Sequence, residues 1–337
     1  MSATINVIPK SFATVEHLRD KTVAVLGYGS QGHAHALNLR DSGCNVIVAQ
    51  RPGSSRFDAA VDAGFEPVEI PVAVQAADLL IFGLPDDVAA GVYDAQIRPS
   101  LRPDQTLGFI HGFLIHYRLI EPPPHVDVVL VAPKAQGRGV RSEFVAGRGV
   151  LALLAIHHDA TGGARQTALG WAAGIGAHRA GILETTFKDE TETDLFGEQA
   201  VLCGGLSALI KAGFATLVDA GYPAELAYFE CCHEVKLLAD LLYEGGITHM
   251  RERISSTARF GDLTRGPRLV GDAVRAAMRS LLAEIQSGQF AREFLSDAER
   301  GGELSRELVE RDRAHPIEAV GRRLRELMWG TDRPQGE

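Results

Sequence analysis

Between residues 21 and 183, short apolar runs alternate with stretches patterned as helix. The runs are "TVAVLG", "NVIVAQ", "DLLIFGLP", "TLGFIHG", "DVVLVAPK", "GVLALLAI" and "RAGILET", each β-branched or leucine-rich and bounded by Gly, Pro, Asp or Asn. Their apolar positions are continuous rather than alternating. That pattern predicts strands buried on both faces, hence a largely parallel sheet covered by helices. From about residue 187 the period becomes helical throughout. "GGLSALIKAGFATLVDAGY" stops at Gly221, "PAELAYFECCHEVKLLADLLYEGG" is framed by Pro223 and Gly245-Gly246, and "AVRAAMRSLLAEIQSG" forms a further helix. The expected organisation is an α/β domain over residues 1–185, an all-α domain over 186–331 and a polar tail over 332–337. No long Pro/Gly/Ser linker separates the domains, so a packed interface between them is expected.

The first strand runs into "GYGSQGHAHALNLRDSG", in which Gly27, Gly29 and Gly32 have the G-x-G-x-x-G spacing at the start of a helix. Strand, glycine loop and helix together fit a Rossmann-type dinucleotide fingerprint. The glycines allow a tight turn and close backbone approach, and the helix N-terminus offers N–H groups to a pyrophosphate. An NAD site usually has Asp or Glu at the end of the next strand. Here that position is Gln50, followed by Arg51, Ser54, Ser55 and Arg56. Two guanidinium groups and two hydroxyls make a grip for a 2′-phosphate, so NADP(H) is the expected nucleotide.

A second feature is "FKDETETDLFGEQAVLCGG", where Glu190, Asp194 and Glu198 fall at i, i+4, i+8. Like charges on one helix face repel by a few tenths of a kcal/mol per pair. Acids in a first turn suit the helix macrodipole, which accounts for Asp189, Glu190 and Glu192 as a largely solvated helix start. It accounts less well for Asp194 and Glu198, which lie deeper and abut apolar residues. Glu230 and Glu234 form another i, i+4 pair in "YFECCHEVKLLADLL". Two such pairs could converge on Mg²⁺ or Mn²⁺, or could be solvated acidic faces; spacing alone leaves both open. A di-iron carboxylate site needs two Glu-x-x-His motifs and only Glu230-x-x-His233 is present. The zincin motif fails because position 237 is leucine.

Composition narrows the partners. Hydrophobic residues make up 45% and charged residues 23%, ample for a core. A net charge of −9 argues against nucleic acid or an anionic membrane as partner. Cys44, Cys203, Cys231 and Cys232 contain no C-x-x-C pair, so a disulfide framework is not expected. The N-terminal segment has no basic start followed by an apolar run, and "GVLALLAI" is too short to span a bilayer. A cytoplasmic setting is the expectation.

The glycine loop, the acidic run and "AYFECCHEVKLLADLLYEGG" together resemble ketol-acid reductoisomerase, in its short class I form, over about residues 5–329. The resemblance implies a Rossmann domain followed by a knotted helical domain, and a homodimer whose active sites combine residues of both subunits. It implies Mg²⁺-dependent alkyl migration in a 2-hydroxy-3-keto acid such as 2-acetolactate, then reduction by NADPH. Carried over by position, Asp194 bridges two Mg²⁺ ions, Glu198 completes one site, and Glu230 and Glu234 serve the other. His111 in "FIHGFLIHY" matches the catalytic histidine, Lys134 in "VAPK" a lysine near the metals, and Ser255 a serine on the substrate carboxylate. Glu198 and Glu230 join His111 and Lys134 as expected catalytic groups. Tyr28, Ser30, Gln31, Arg51 and Ser54 match cofactor contacts, as do Gly137 and the stretch Asp86, Asp87, Val88, Ala89.

Four departures stand out from the family pattern. Leu114 replaces an asparagine in "HGFLIH", Ala135-Gln136 replaces Gly-Pro after Lys134, Arg56 stands where serine is common, and Arg259 where an acid is usual. The intact carboxylates and Lys134 imply activity. The departures leave room for a paralogue handling a related 2-hydroxy-3-keto acid. A plain NADP-dependent hydroxyacid-type reductase and a non-catalytic NADP sensor are further readings, neither of which needs the carboxylates on two helices.

Overall fold

The protein is described by a computed structural model covering residues 5–330. The polar tail expected at 332–337 lies outside the described residues. The chain forms two compact units that divide between Thr193 and Asp194.

The first unit is built on an eight-stranded sheet. Its strands are β1 (Asn6–Ile8), β2 (Thr22–Leu26), β3 (Asn45–Ala49), β4 (Leu79–Phe82), β5 (Thr106–Phe109), β6 (Asp127–Pro133), β7 (Ala152–His158) and β8 (Ile182–Glu184), in the order β1-β8-β7-β6-β5-β4-β2-β3. Strands β3, β2, β4, β5 and β6 run parallel. All of the apolar runs become strands, and β4, β5 and β6 are buried at every position. Two features depart from the largely parallel expectation. Strand β7 pairs antiparallel with β6, with an irregularity between Val128 and Val129, and β1 adds an antiparallel edge to β8. β1 is only three residues long and two of them are exposed, so it carries almost no periodic signal.

The order reverses at β2, which has β3 on one side and β4 on the other. In such sheets ligands bind outside the carboxyl ends of the strands at this switch point. The glycine loop follows β2 there. Behind it, Trp171 is fully buried and its Nε1 donates to His35 Nδ1 at 2.9 Å. Gly108 on β5 makes the room: a Cβ there would lie 2.8 Å from the indole.

Among the described residues, the regular elements of the second unit are all helices. They include Gly204–Asp219, Ala224–Tyr228, Val235–Arg253, Ser256–Leu269, Asp272–Gln286, Gln289–Glu299, Glu303–Arg313 and Pro316–Trp329. The run Val235–Arg253 is interrupted at Gly246, with φ 77° and ψ −174°, so the helix breaks at the predicted glycine. A small core gathers Phe214, Ala227, Tyr228, Ile317 and Leu324. Large apolar side chains remain on the outside of this single chain, among them Leu209 at 59%, Phe260 at 65% and Tyr243 at 90% exposure. Helix Phe187–Gly197 passes into Gly204–Asp219 through a π-helical turn, Glu198–Leu202. A second π turn, Phe229–His233, joins Ala224–Tyr228 to the helix beginning at Val235. By length and composition alone the run Phe187–Asp219 could cross a membrane. It nonetheless opens with Asp189, Glu190, Glu192 and Asp194.

Candidate active site

The glycine loop is built by contact. Gly27 has φ +94°, and a Cβ there would meet the Gly83 carbonyl oxygen at 2.7 Å. At Gly32 a Cβ would lie 2.2 Å from the Gly27 carbonyl oxygen, so the helix Ser30–Asp41 starts directly against the loop. Gly29 caps that helix without a side-chain bond, which leaves its first N–H groups for a ligand. Ser30 is exposed. Tyr28 is different: its ring is 2% exposed and packs edge-on against Phe65, so only its backbone faces the loop. Gln31 Nε2 donates to the Ala135 carbonyl at 2.9 Å, and a Cβ on Gly137 would lie 1.9 Å from the Ser30 carbonyl oxygen. The loop after β6 and the glycine loop therefore pack backbone to backbone. Asp86, Asp87, Val88 and Ala89 form the first turn of the helix Asp86–Val92 beyond β4, with Ala89 fully buried. Arg51 is exposed and Ser54 half-buried in the turn after β3.

At the ends of β5 and β6 the structure brings together a cluster centred on Glu190. Its side chain is 1% exposed. Oε2 accepts from His111 Nδ1 at 3.0 Å and from the Gly112 backbone N–H at 2.8 Å; Oε1 accepts from Lys134 Nζ at 3.0 Å. Burial pushes this carboxyl up, but the hydrogen bonds and charges of His111 and Lys134 outweigh it, and the group sits below the usual carboxylate range. Gly112 is what permits the approach, since a Cβ would lie 2.4 Å from Thr191 Oγ1 and 2.8 Å from the Phe187 carbonyl oxygen. Glu192, on the same helix, is also buried, and lies 3.4 Å from His116 Nε2. Burial, the largest influence on His116, lowers its pKa despite the carboxylate.

These two glutamates correct the reading of a solvated helix start. Asp189 is exposed as expected, whereas Glu190 and Glu192 fold inward. A signal for Glu190 was present in the sequence: it lies on the same helical stripe as Asp194 and Glu198, one turn earlier.

In the helical unit, Asp194 is half-buried and Glu198 is exposed at the start of the π turn. The Cys203 N–H bonds the Glu198 carbonyl at 2.9 Å, five residues back. Glu230 lies inside the second π turn and Glu234 at its end, where the Glu234 N–H bonds the Phe229 carbonyl at 3.2 Å. Both carboxylates are exposed. Widened turns of this kind recur at functional sites. Ser255 is the N-cap of Ser256–Leu269; its Oγ accepts from the Ala258 N–H at 3.1 Å and sits 2.9 Å from Thr257 Oγ1.

Two family models cover nearly the whole chain. Residues 17–181 match the acetohydroxy acid isomeroreductase NADPH-binding domain, and 187–329 match the ketol-acid reductoisomerase C-terminal domain. The chain belongs to the ketol-acid reductoisomerase family. It is similar to the NADH-preferring ketol-acid reductoisomerase of an uncultured archaeon, with 42% identity over 96% of this chain and 99% of that one, and a TM-score of 0.93. Likeness in fold alone extends to a semialdehyde dehydrogenase NAD-binding protein from Cupriavidus necator, at 18% identity over 79% and 99% of the two chains and TM-score 0.59. It also extends to a pyrroline-5-carboxylate reductase from Coxiella burnetii, at 13% identity over 79% and 98%, TM-score 0.54.

As a ketol-acid reductoisomerase, the chain is an oxidoreductase with an NAD(P)H-binding domain followed by an all-helical domain. Two of its departures from the family pattern have clear places in the fold. Leu114 is 2% exposed in the short helix Phe113–His116, so an apolar side chain fills that place. The Ala135 carbonyl is the acceptor for Gln31, and Gln136 precedes the helix Gly137–Val145.

Proposed function

We propose that this ketol-acid reductoisomerase carries out Mg²⁺-dependent alkyl migration in 2-acetolactate and 2-aceto-2-hydroxybutyrate, followed by NADPH reduction to the 2,3-dihydroxy-3-methyl acids of valine and isoleucine biosynthesis. The observation that carries the reading is the buried Glu190 carboxylate. It holds His111 and Lys134 at adjacent strand ends, on the helix that also bears Asp194. Asp194, Glu198, Glu230 and Glu234 give an all-oxygen donor set, which suits hard divalent cations. When bound, two Mg²⁺ ions polarise neighbouring substrate oxygens for migration and NADPH supplies the hydride. The protein's own part is positional. The bond between His111 Nδ1 and Glu190 fixes the orientation of the imidazole ring. Lys134 is anchored by Glu190 with its side chain 32% exposed, which fixes a cation beside the glycine loop. Ser255 is the proposed contact for the substrate carboxylate.

Support for NADPH comes from the family model of the first domain and from Arg51 and Arg56. The archaeal relative prefers NADH, so nucleotide choice varies among similar chains. The exposed apolar side chains of the helical unit support a homodimer that completes the site. The proposed setting is cytoplasmic, without nucleic-acid or membrane partners. A second reading, favoured by Leu114, Ala135 and Gln136, is a paralogue acting on a related 2-hydroxy-3-keto acid.

The test is NADPH oxidation with 2-acetolactate, 2-aceto-2-hydroxybutyrate and 3-hydroxy-3-methyl-2-ketobutyrate, with and without Mg²⁺. Turnover of the first two only with metal is expected. Metal-free turnover of 2-acetolactate would overturn the metal assignment. Reduction of the third compound alone would favour the paralogue.

A further inference from the structure

The hydroxyl of Ser54 is saturated by the protein itself. It caps the helix Ser55–Asp62 by accepting from the Phe57 N–H at 3.2 Å, accepts from Gln50 Nε2 at 3.0 Å, and donates to the Arg51 carbonyl at 2.9 Å. A hydroxyl has one donor and two acceptor positions, so all are in use. Ser54 could donate to a 2′-phosphate only by releasing Arg51.

Gln50 directs this arrangement. Its Oε1 accepts from the Tyr28 N–H at 3.0 Å, which ties the end of β3 to the glycine loop. Among the described residues, its amide keeps one N–H and one lone pair without a protein partner. It stands where a dinucleotide fold places the acid that binds the adenosine ribose. A carboxylate there repels a 2′-phosphate. A neutral amide can accept from a 2′-hydroxyl and equally donate to a phosphate. Discrimination then falls to Arg51, Ser55 and Arg56, all exposed. Exposed charge pairs are weak and screened by salt. Two of them separate the nucleotides by at most about thirtyfold.

We propose that this chain accepts both nucleotides: Gln50 serves the ribose of NADH and NADPH alike, the Arg51 carbonyl holds the Ser54 O–H, and a modest, salt-sensitive NADPH preference is left to Arg51 and Arg56. This rests on the nicotinamide-nucleotide reading above and sharpens it. The test is fluorescence titration of the full-length protein with NADPH and NADH at low and high salt. Both should bind, with an affinity ratio of about 3 to 30 in low salt that falls toward parity in high salt. Gln50→Leu removes a donor to Ser54 but leaves the Ser54 O–H on the Arg51 carbonyl, so it should weaken both nucleotides and leave the NADPH:NADH ratio within about threefold. Gln50→Glu keeps the acceptor for Tyr28 but adds a charge. It should weaken NADPH at least about tenfold and NADH no more than about threefold. Ratios cancel any general loosening of the loop. A wild-type ratio above about a hundred that salt does not move, a ratio raised more than about fivefold in Gln50→Leu, or an unchanged ratio in Gln50→Glu would overturn the inference and leave the nucleotide reading standing. Failure of both nucleotides to bind would overturn both.

Discussion

Glu190 has three partners for its two oxygens: an imidazole, an ammonium and a backbone N–H. Glu190→Gln keeps the shape and removes the charge. Turnover should fall at least about a hundredfold, with nucleotide affinity nearly unchanged, as steady-state assays and titration can check. Stability should drop by about 1–2 kcal/mol, less than for a fully buried pair, because Lys134 is partly solvated. A second residue sets a pH dependence. His35 is completely buried, and desolvation lowers its pKa to about 3. The unfolded chain takes up this proton below about pH 6.5 and the folded chain does not. Stability is therefore full above that pH and declines by about 1.4 kcal/mol per unit as pH falls toward the folded value. His35→Gln, which retains an acceptor for Trp171, should flatten the slope of urea midpoint against pH between neutrality and about pH 4. Spacing made the glycines legible, and Lys134 and His111 were singled out only through the family resemblance. Sequence alone could not show that Glu190 folds inward, because its partners are 79 and 56 residues away and only sheet assembly brings them opposite.

At the scale of elements, the apolar runs were legible because strands buried on both faces leave a continuous signature. The antiparallel turn of β7 was not, since pairing direction leaves no mark in such a run. Helix ends at Gly221, Gly246 and Gly288 follow from their left-handed φ. The helix Phe187–Gly197 packs so closely on Gly112 that the contact is a test of the architecture. Gly112→Ala should cost about 1–3 kcal/mol and displace Glu190 from His111 and Lys134. Urea unfolding would show the first effect. A loss of turnover comparable to Glu190→Gln would show the second, and unaltered turnover would mean that this spacing does not matter.

For the whole molecule, the two units differ in how much they bury. The sheet unit has an extensive core, whereas the helical unit, among the described residues, gathers a small cluster around Phe214 and Tyr228 and exposes many large apolar side chains. A chain of this kind should be stable as a pair. Light scattering should give twice the mass of one chain, and the unfolding midpoint should rise with protein concentration; a concentration-independent midpoint for a monomer would refute this. The π turn Glu198–Leu202 matters to such a pair in a way that concerns winding rather than chemistry. A π turn is a helix carrying one residue beyond its regular count, and each residue of an α-helix advances about 100° around the axis. The acidic half ending at Gly197 and the apolar half beginning at Gly204 are thereby set out of phase. Losing a single residue between them would leave every side chain in place along the sequence, yet rotate the apolar face by more than a quarter turn away from whatever it covers.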